Sequence, residues 1–178
     1  MRLRAGIVVA ALCAPAAPAL GQGCSENSAY ATLDFWIGEW EVWAEGERVG
    51  ENRIEKILKG CAIMEHWRDV RGGEGKSLFY VVPELAEWRQ VWVTETPSVP
   101  GAVKEKSLVE RLEEGGVRFQ GEVPLLGDGS YLDRTTLTPL PDGTVRQVIE
   151  RSVDGGTTWQ SSFDAVYRRR PGRPPGGG

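Results

Sequence analysis

The chain has 178 residues, with 21 basic against 25 acidic side chains, a single histidine and a formal charge of −4. An acidic chain lacks the basic face that phosphate recognition requires, which argues against nucleic acid as the main partner. One imidazole leaves no second histidine for a Ser-His-Asp triad, a multi-His zinc centre or a His-rich copper site.

The first 21 residues read as an export signal. Arg2 and Arg4 form a short positive region, 5–20 is an uncharged Ala-rich run, and Ala19 and Gly21 put small residues ahead of a cleavage point before Gln22. The run is interrupted by Pro15 and Pro18 and falls short of the roughly 20 apolar residues of a membrane-spanning helix. A lipoprotein would need a Leu-small-small triplet before Cys24, and Gly21-Gln22-Gly23 supplies no leucine. The expectation is a periplasmic or secreted protein without a transmembrane segment. Cleavage leaves 19 basic against 25 acidic residues, a charge of −6, on a chain of single-domain size. It also removes Cys13, so Cys24 and Cys61 remain as an even pair in an oxidising compartment, and a disulfide between them is expected.

After a short helix or turn at 29–36, β-rich runs alternate with Gly, Pro, Asn and Asp turns. Strands are expected at 39–44, 49–58, 62–69, 76–82, 87–94, 103–112, 117–123, 131–138, 144–152 and 157–168. Links this short make neighbours antiparallel, and no segment has the length of a crossover helix. The fold class is therefore all-β: an antiparallel up-and-down barrel of about ten strands, closed because closure removes exposed edges. It occupies 22–168. Residues 169–178 are rich in Arg, Pro and Gly and are expected to form a disordered basic tail.

Residues 152–159 (SVDGGTTW) resemble the Asp-box hairpin of sialidases and other propeller enzymes. The motif is structural: Asp154 accepts turn amides, glycine takes positive φ and Trp159 packs beneath. A propeller would repeat it once per blade, and the chain has one copy.

A second resemblance spans nearly the whole chain after the export signal. Its parts are 33–42 (LDFWIGEWEV), 52–61 (NRIEKILKGC), Glu65 with Trp67, 88–93 (WRQVWV) and 145–159. Together they look like an uncharacterised domain family of exported bacterial proteins, similar to lipocalin-like (calycin) barrels. The Gly-x-Trp of Gly38 and Trp40 is itself lipocalin-like, with the tryptophan closing one barrel end. The resemblance implies a barrel with a ligand cavity and transfers no catalytic residues.

Strand alternation then selects the lining of such a cavity. Trp88, Gln90 and Trp92 share one face of their strand, and Glu65 shares a face with Trp67. Two aromatics interleaved with an amide have the composition of a small-molecule pocket. A buried Glu65 needs a cation or several donors. Arg134, on the face with Leu132 and Thr136, is the expected partner, with Gln147 as a neighbouring polar group. Glu150 should fall on the face opposite Gln147. The resulting expectation is a non-catalytic barrel that binds a small, largely apolar molecule, with Trp67, Trp88 and Trp92 as walls and Glu65, Gln90 and Arg134 as orienting groups. One alternative is an isomerase, cyclase or hydrolase using Glu65 as base. Another is an envelope protein with a filled barrel. No cofactor or metal is expected, although one histidine, His66, suffices as an axial haem ligand in barrels similar to nitrobindin. Those place the ligand late in the chain, whereas His66 is early and on the face opposite Glu65.

Overall fold

The computed structural model describes residues 23–95 and 101–170. The expected signal peptide, and the expected tail from residue 171 onward, lie outside the described residues. Ten strands follow in chain order: β1 (Gly38–Ala44), β2 (Glu47–Ile57), β3 (Ala62–Asp69), β4 (Glu74–Val82), β5 (Glu87–Thr94), β6 (Val103–Arg111), β7 (Val117–Pro124), β8 (Ser130–Pro139), β9 (Val145–Ser152) and β10 (Gln160–Arg169). Each pairs antiparallel with its sequence neighbours, and β10 pairs with β1 to close the barrel. Among the described residues no helix is long and apolar enough to cross a membrane.

Most strand ends lie within one or two residues of expectation, and both ends of β10 differ for local reasons. β10 begins at Gln160 because Thr157 and Thr158 are held in the preceding turn: the Thr158 amide and hydroxyl both donate to the Asp154 carboxylate, at 2.9 and 2.6 Å. It runs on through Arg169 because Arg169 pairs with Trp40 of β1, and its guanidinium lies 4.5 Å over the Trp40 ring.

One end of the barrel is plugged. Three short 3-10 turns, Cys24–Glu26, Ser28–Ala31 and Asp34–Trp36, lead into β1. They carry Leu33 and Trp36, both fully buried, into the barrel. The Trp36 ring meets Phe79 and Tyr167 edge-on at 5.6 and 5.9 Å, and its carbonyl accepts the Trp40 indole N–H at 2.8 Å. Burying an aromatic of this size removes roughly 150–250 Å² from water, contributing about 4–6 kcal/mol at about 25 cal/mol per Å² before entropy is counted. Between plug and strand the chain turns at Gly38, whose φ of 145° suits glycine and whose missing Cβ leaves room for the Arg169 guanidinium. Trp43 does not join this core; alternation after the inward Trp40 and Val42 puts it on the outer face, beneath Arg168.

The expected disulfide is present. Cys24 bonds to Cys61, 37 positions away, and fastens the first plug turn to the connection between β2 and β3. Trp88 clasps the plug from another side by donating its indole N–H to the Ala29 carbonyl at 2.9 Å. Phe79, Phe119, Ile54, Ile63, Val117, Leu137 and Val145 complete a continuous apolar core on this side of the barrel.

Candidate functional site

The opposite half of the barrel is hollow. A cavity of about 370 Å³ lies among the strand ends farthest from the plug, at the low end of the range of roughly 300–1,000 Å³ of small-molecule sites. Strand alternation brings Glu65 and Trp67 of β3, Gln90 and Trp92 of β5, and Gln147 of β9 to its lining, as the sequence suggests. Lys104 and Lys106 of β6, Thr135 of β8, Ile149 and Arg151 of β9, and Phe163 and Tyr167 of β10 join them.

Its walls are aromatic. Trp67 meets Phe163 edge-on at 6.2 Å, and Trp92, two strands away, joins it in the lining across Gly75 of β4. Each tryptophan lies against a glycine of the neighbouring strand, Trp67 against Gly50 and Trp92 against Gly75, where a Cβ would collide with the indole.

Its floor is a run of buried polar groups. Gln90 donates to the Ser77 hydroxyl at 3.1 Å, and Asn52 donates to Glu65 at 2.7 Å and to the Tyr167 hydroxyl at 3.3 Å. Tyr167 in turn donates to Gln147 at 2.7 Å. Tyr167 touches Trp36 and Trp40 on one side and the cavity on the other, which places this network between filled core and hollow. Burial raises the Glu65 carboxyl above its ordinary 4.5, against the opposing pull of hydrogen bonds from Ser77 and Asn52 and of the Lys106 charge. Burial likewise pushes the Tyr167 phenol well above 10. Both groups are thereby driven toward their neutral, hydrogen-donating forms. The Gln90 and Asn52 side-chain carbonyls, buried at this level, have no hydrogen-bond partner among the described residues.

The third side of the cavity is cationic. Asp133 is fully buried, and Lys104, Lys106 and Arg151 converge on it. Lys104 lies 2.7 Å from its Oδ2, Lys106 contacts its Oδ1, and the Arg151 Nε is 3.7 Å from Oδ2. Lys106 also donates to the Thr135 hydroxyl at 2.6 Å. Burial brings the Lys106 ammonium down to about 8, with the Asp133 charge opposing.

Two expected lining residues are elsewhere. Arg134 does not partner Glu65: it is on the outer face of β8, bonded to Glu150 at 2.7 and 3.1 Å, with its guanidinium 3.9 Å over Trp159. The inner face of β8 carries Tyr131, Asp133, Thr135 and Leu137, all buried. Trp88 is on the inner face of β5 as expected, but at the plugged end, where Ala29 and Tyr30 cover it and it forms no cavity wall. His66 is on the outer surface between Glu55 and Lys76, 2.8 and 3.1 Å from its ring nitrogens, facing away from the cavity. Glu150 and Gln147 fall on opposite faces of β9.

Lys104, Lys106, Arg151 and Asp133 of the cationic wall, with Asn52, Ser77 and Tyr167 of the floor, were missed by sequence reasoning. A signal existed, since Lys104, Lys106 and Leu108 form one stripe of β6 and Val103, Glu105, Ser107 and Val109 the other, but a stripe with two lysines does not read as the inward one. Among the described residues no cluster of three or more His, Cys, Asp or Glu side chains has the arrangement to hold a metal ion. The chain matches no protein-family model, and no curated protein matches it.

Proposed function

We propose that this is an exported, non-catalytic barrel that binds a small molecule with a largely apolar body, of the lipocalin-like kind its sequence resembles. The observation that carries this reading is the half-filled barrel. A plug and buried apolar core fill one end, while the other end retains a cavity with tryptophan walls and a polar floor. A protein needing only stability gains by filling such a space, since lining atoms without partners forgo dispersion contacts. The unpartnered Gln90 carbonyl supplies an orienting acceptor at the floor. Export is supported by the character of residues 1–21 and by the Cys24–Cys61 bridge, a bond that persists in oxidising compartments.

The test is native mass spectrometry of the purified protein for retained small molecules, paired with tryptophan quenching across fatty acids, aromatic compounds and isoprenoids. Trp67 and Trp92 line the cavity, so an occupant should change emission and raise the melting temperature. Absence of both a retained mass and any response across the panel would sink the proposal.

A second reading, acid-base catalysis at Glu65, is favoured by the raised carboxyl inside the cavity. Glu65→Gln separates the two. The amide mimics a neutral carboxyl and should leave ligand affinity within about threefold, whereas an enzyme would lose turnover by roughly a hundredfold or more.

A further inference from the structure

From the imbalance of charge on the cavity wall we infer that the ligand is an amphiphilic monoanion, a carboxylate on an apolar body, whose head group binds between Lys104, Lys106 and Arg151. This deepens the ligand-binding reading and rests on it.

The argument is a count of charges and donors. Three cations meet a single buried carboxylate, Asp133, leaving two positive charges without an internal counter-ion. Glu65, across the cavity, forms no ion pair with them among the described residues: its Oε1 accepts from Asn52, and burial raises its carboxyl above the ordinary 4.5. An ammonium carries three donors. Lys106 commits donors to Asp133 and Thr135, and Lys104 commits one to Asp133. Arg151 lies with its guanidinium 5.1 Å over the Tyr131 ring and reaches Asp133 only at 3.7 Å, so most of its fork is uncommitted among the described residues. The Lys104 and Lys106 side chains are 11% and 3% exposed, so water solvates them poorly. The two buried lysines share one carboxylate and so exceed their counter-charge by one, while Arg151 is half-exposed; a desolvated cation in excess is costly, and an anion entering the cavity offsets that cost.

The rest of the lining fits the other end of such a molecule. Trp67, Trp92, Phe163 and Ile149 offer an apolar surface beside the cationic wall. The protein as a whole is acidic, so nonspecific attraction of anions to its surface is weak, and selectivity for an anion falls to these three side chains.

The experiment compares acids with their neutral counterparts on the full exported chain: naphthylacetate against naphthylacetamide, and decanoate against decanol, by titration calorimetry and tryptophan quenching. The acids should bind about tenfold or more tightly than the neutral forms, the difference expected of hydrogen bonds to charged donors. That preference should fall to near parity in Lys104→Met and Lys106→Met, with affinity for the neutral forms little changed. Should Lys106→Met fail to fold, the double variant Lys104→Met with Arg151→Gln carries the same test, because Lys106 still neutralises Asp133. Equal binding of acid and neutral forms to the unaltered protein overturns the anion inference while the ligand-binding reading stands. Binding by none of the four compounds overturns both.

Discussion

Asp133 and Arg134 are neighbours in sequence with opposite charges, and the wall of the barrel separates them. Asp133 is fully buried among three cations, while Arg134 is outside, forked onto Glu150 and stacked on Trp159. Their side chains follow from the two-residue period of a strand. Their energetic weights differ for the same reason. Asp133→Ala strips the counter-charge from Lys106 and Lys104 and should cost about 3–5 kcal/mol, the range for breaking a buried ion pair from one side. Arg134→Ala removes a partly exposed pair and should cost about 1 kcal/mol or less. Guanidinium unfolding of the two variants measures the difference, and equal losses would contradict the assignment of faces. The sequence of β8 does not decide between those faces. Tyr131, Asp133, Thr135 and Leu137 form one stripe and Leu132, Arg134, Thr136 and Thr138 the other, each with a leucine, a threonine and one charge. Only the pairing of Arg134 with Glu150 across β8 and β9 resolves the choice.

At the scale of strands, the cavity wall depends on pairing large residues with absent ones. Trp92 of β5 lies across from the β4 backbone at Gly75, and Trp67 of β3 across from the β2 backbone at Gly50. Gly75→Ala would place a methyl group within the Trp92 indole, so the ring must move into or out of the cavity. Overpacking of this kind costs about 1–3 kcal/mol, and it should change the near-ultraviolet circular dichroism of the tryptophans as well as the melting temperature. An unchanged aromatic spectrum would show that Trp92 is not seated there. The strand plan was legible in sequence because turn residues and alternation mark every hairpin, and all ten expected strands overlap observed ones. Trp67, Gln90, Trp92, Glu65 and Gln147 were placed for the same reason. The depth of a residue along the barrel axis was not legible: Trp88 and Trp92 share a face, yet one ends under the plug and the other on the cavity wall. Depth depends on the stagger of neighbouring strands, which a single strand's pattern does not encode.

For the whole molecule, the polar floor and cationic wall make the stability of the fold depend on pH in a way the surface charges do not. The carboxyl of Glu65 is raised above 4.5 in the folded state, so its contribution is fully present below 4.5 and is lost as pH rises through the folded value. The Lys106 ammonium is held at about 8, below its ordinary 10.5, so its contribution is full above 10.5 and is lost as pH falls through about 8. Both groups therefore withhold stability near neutrality, where the barrel carries a buried acid resisting ionisation and a buried cation short of counter-charge. Denaturation midpoints measured across this range should fall from the acid side toward neutral and rise again above about pH 8, on top of the broad profile set by exposed groups. Glu65→Gln should flatten the acid limb, and Lys106→Met the alkaline one, each leaving the other in place. A carboxylate ligand adds a second signature, because an anion beside Lys106 favours the charged ammonium and moves the alkaline limb to higher pH. A limb that stays fixed under saturating naphthylacetate would place that anion away from Lys106, whatever its affinity.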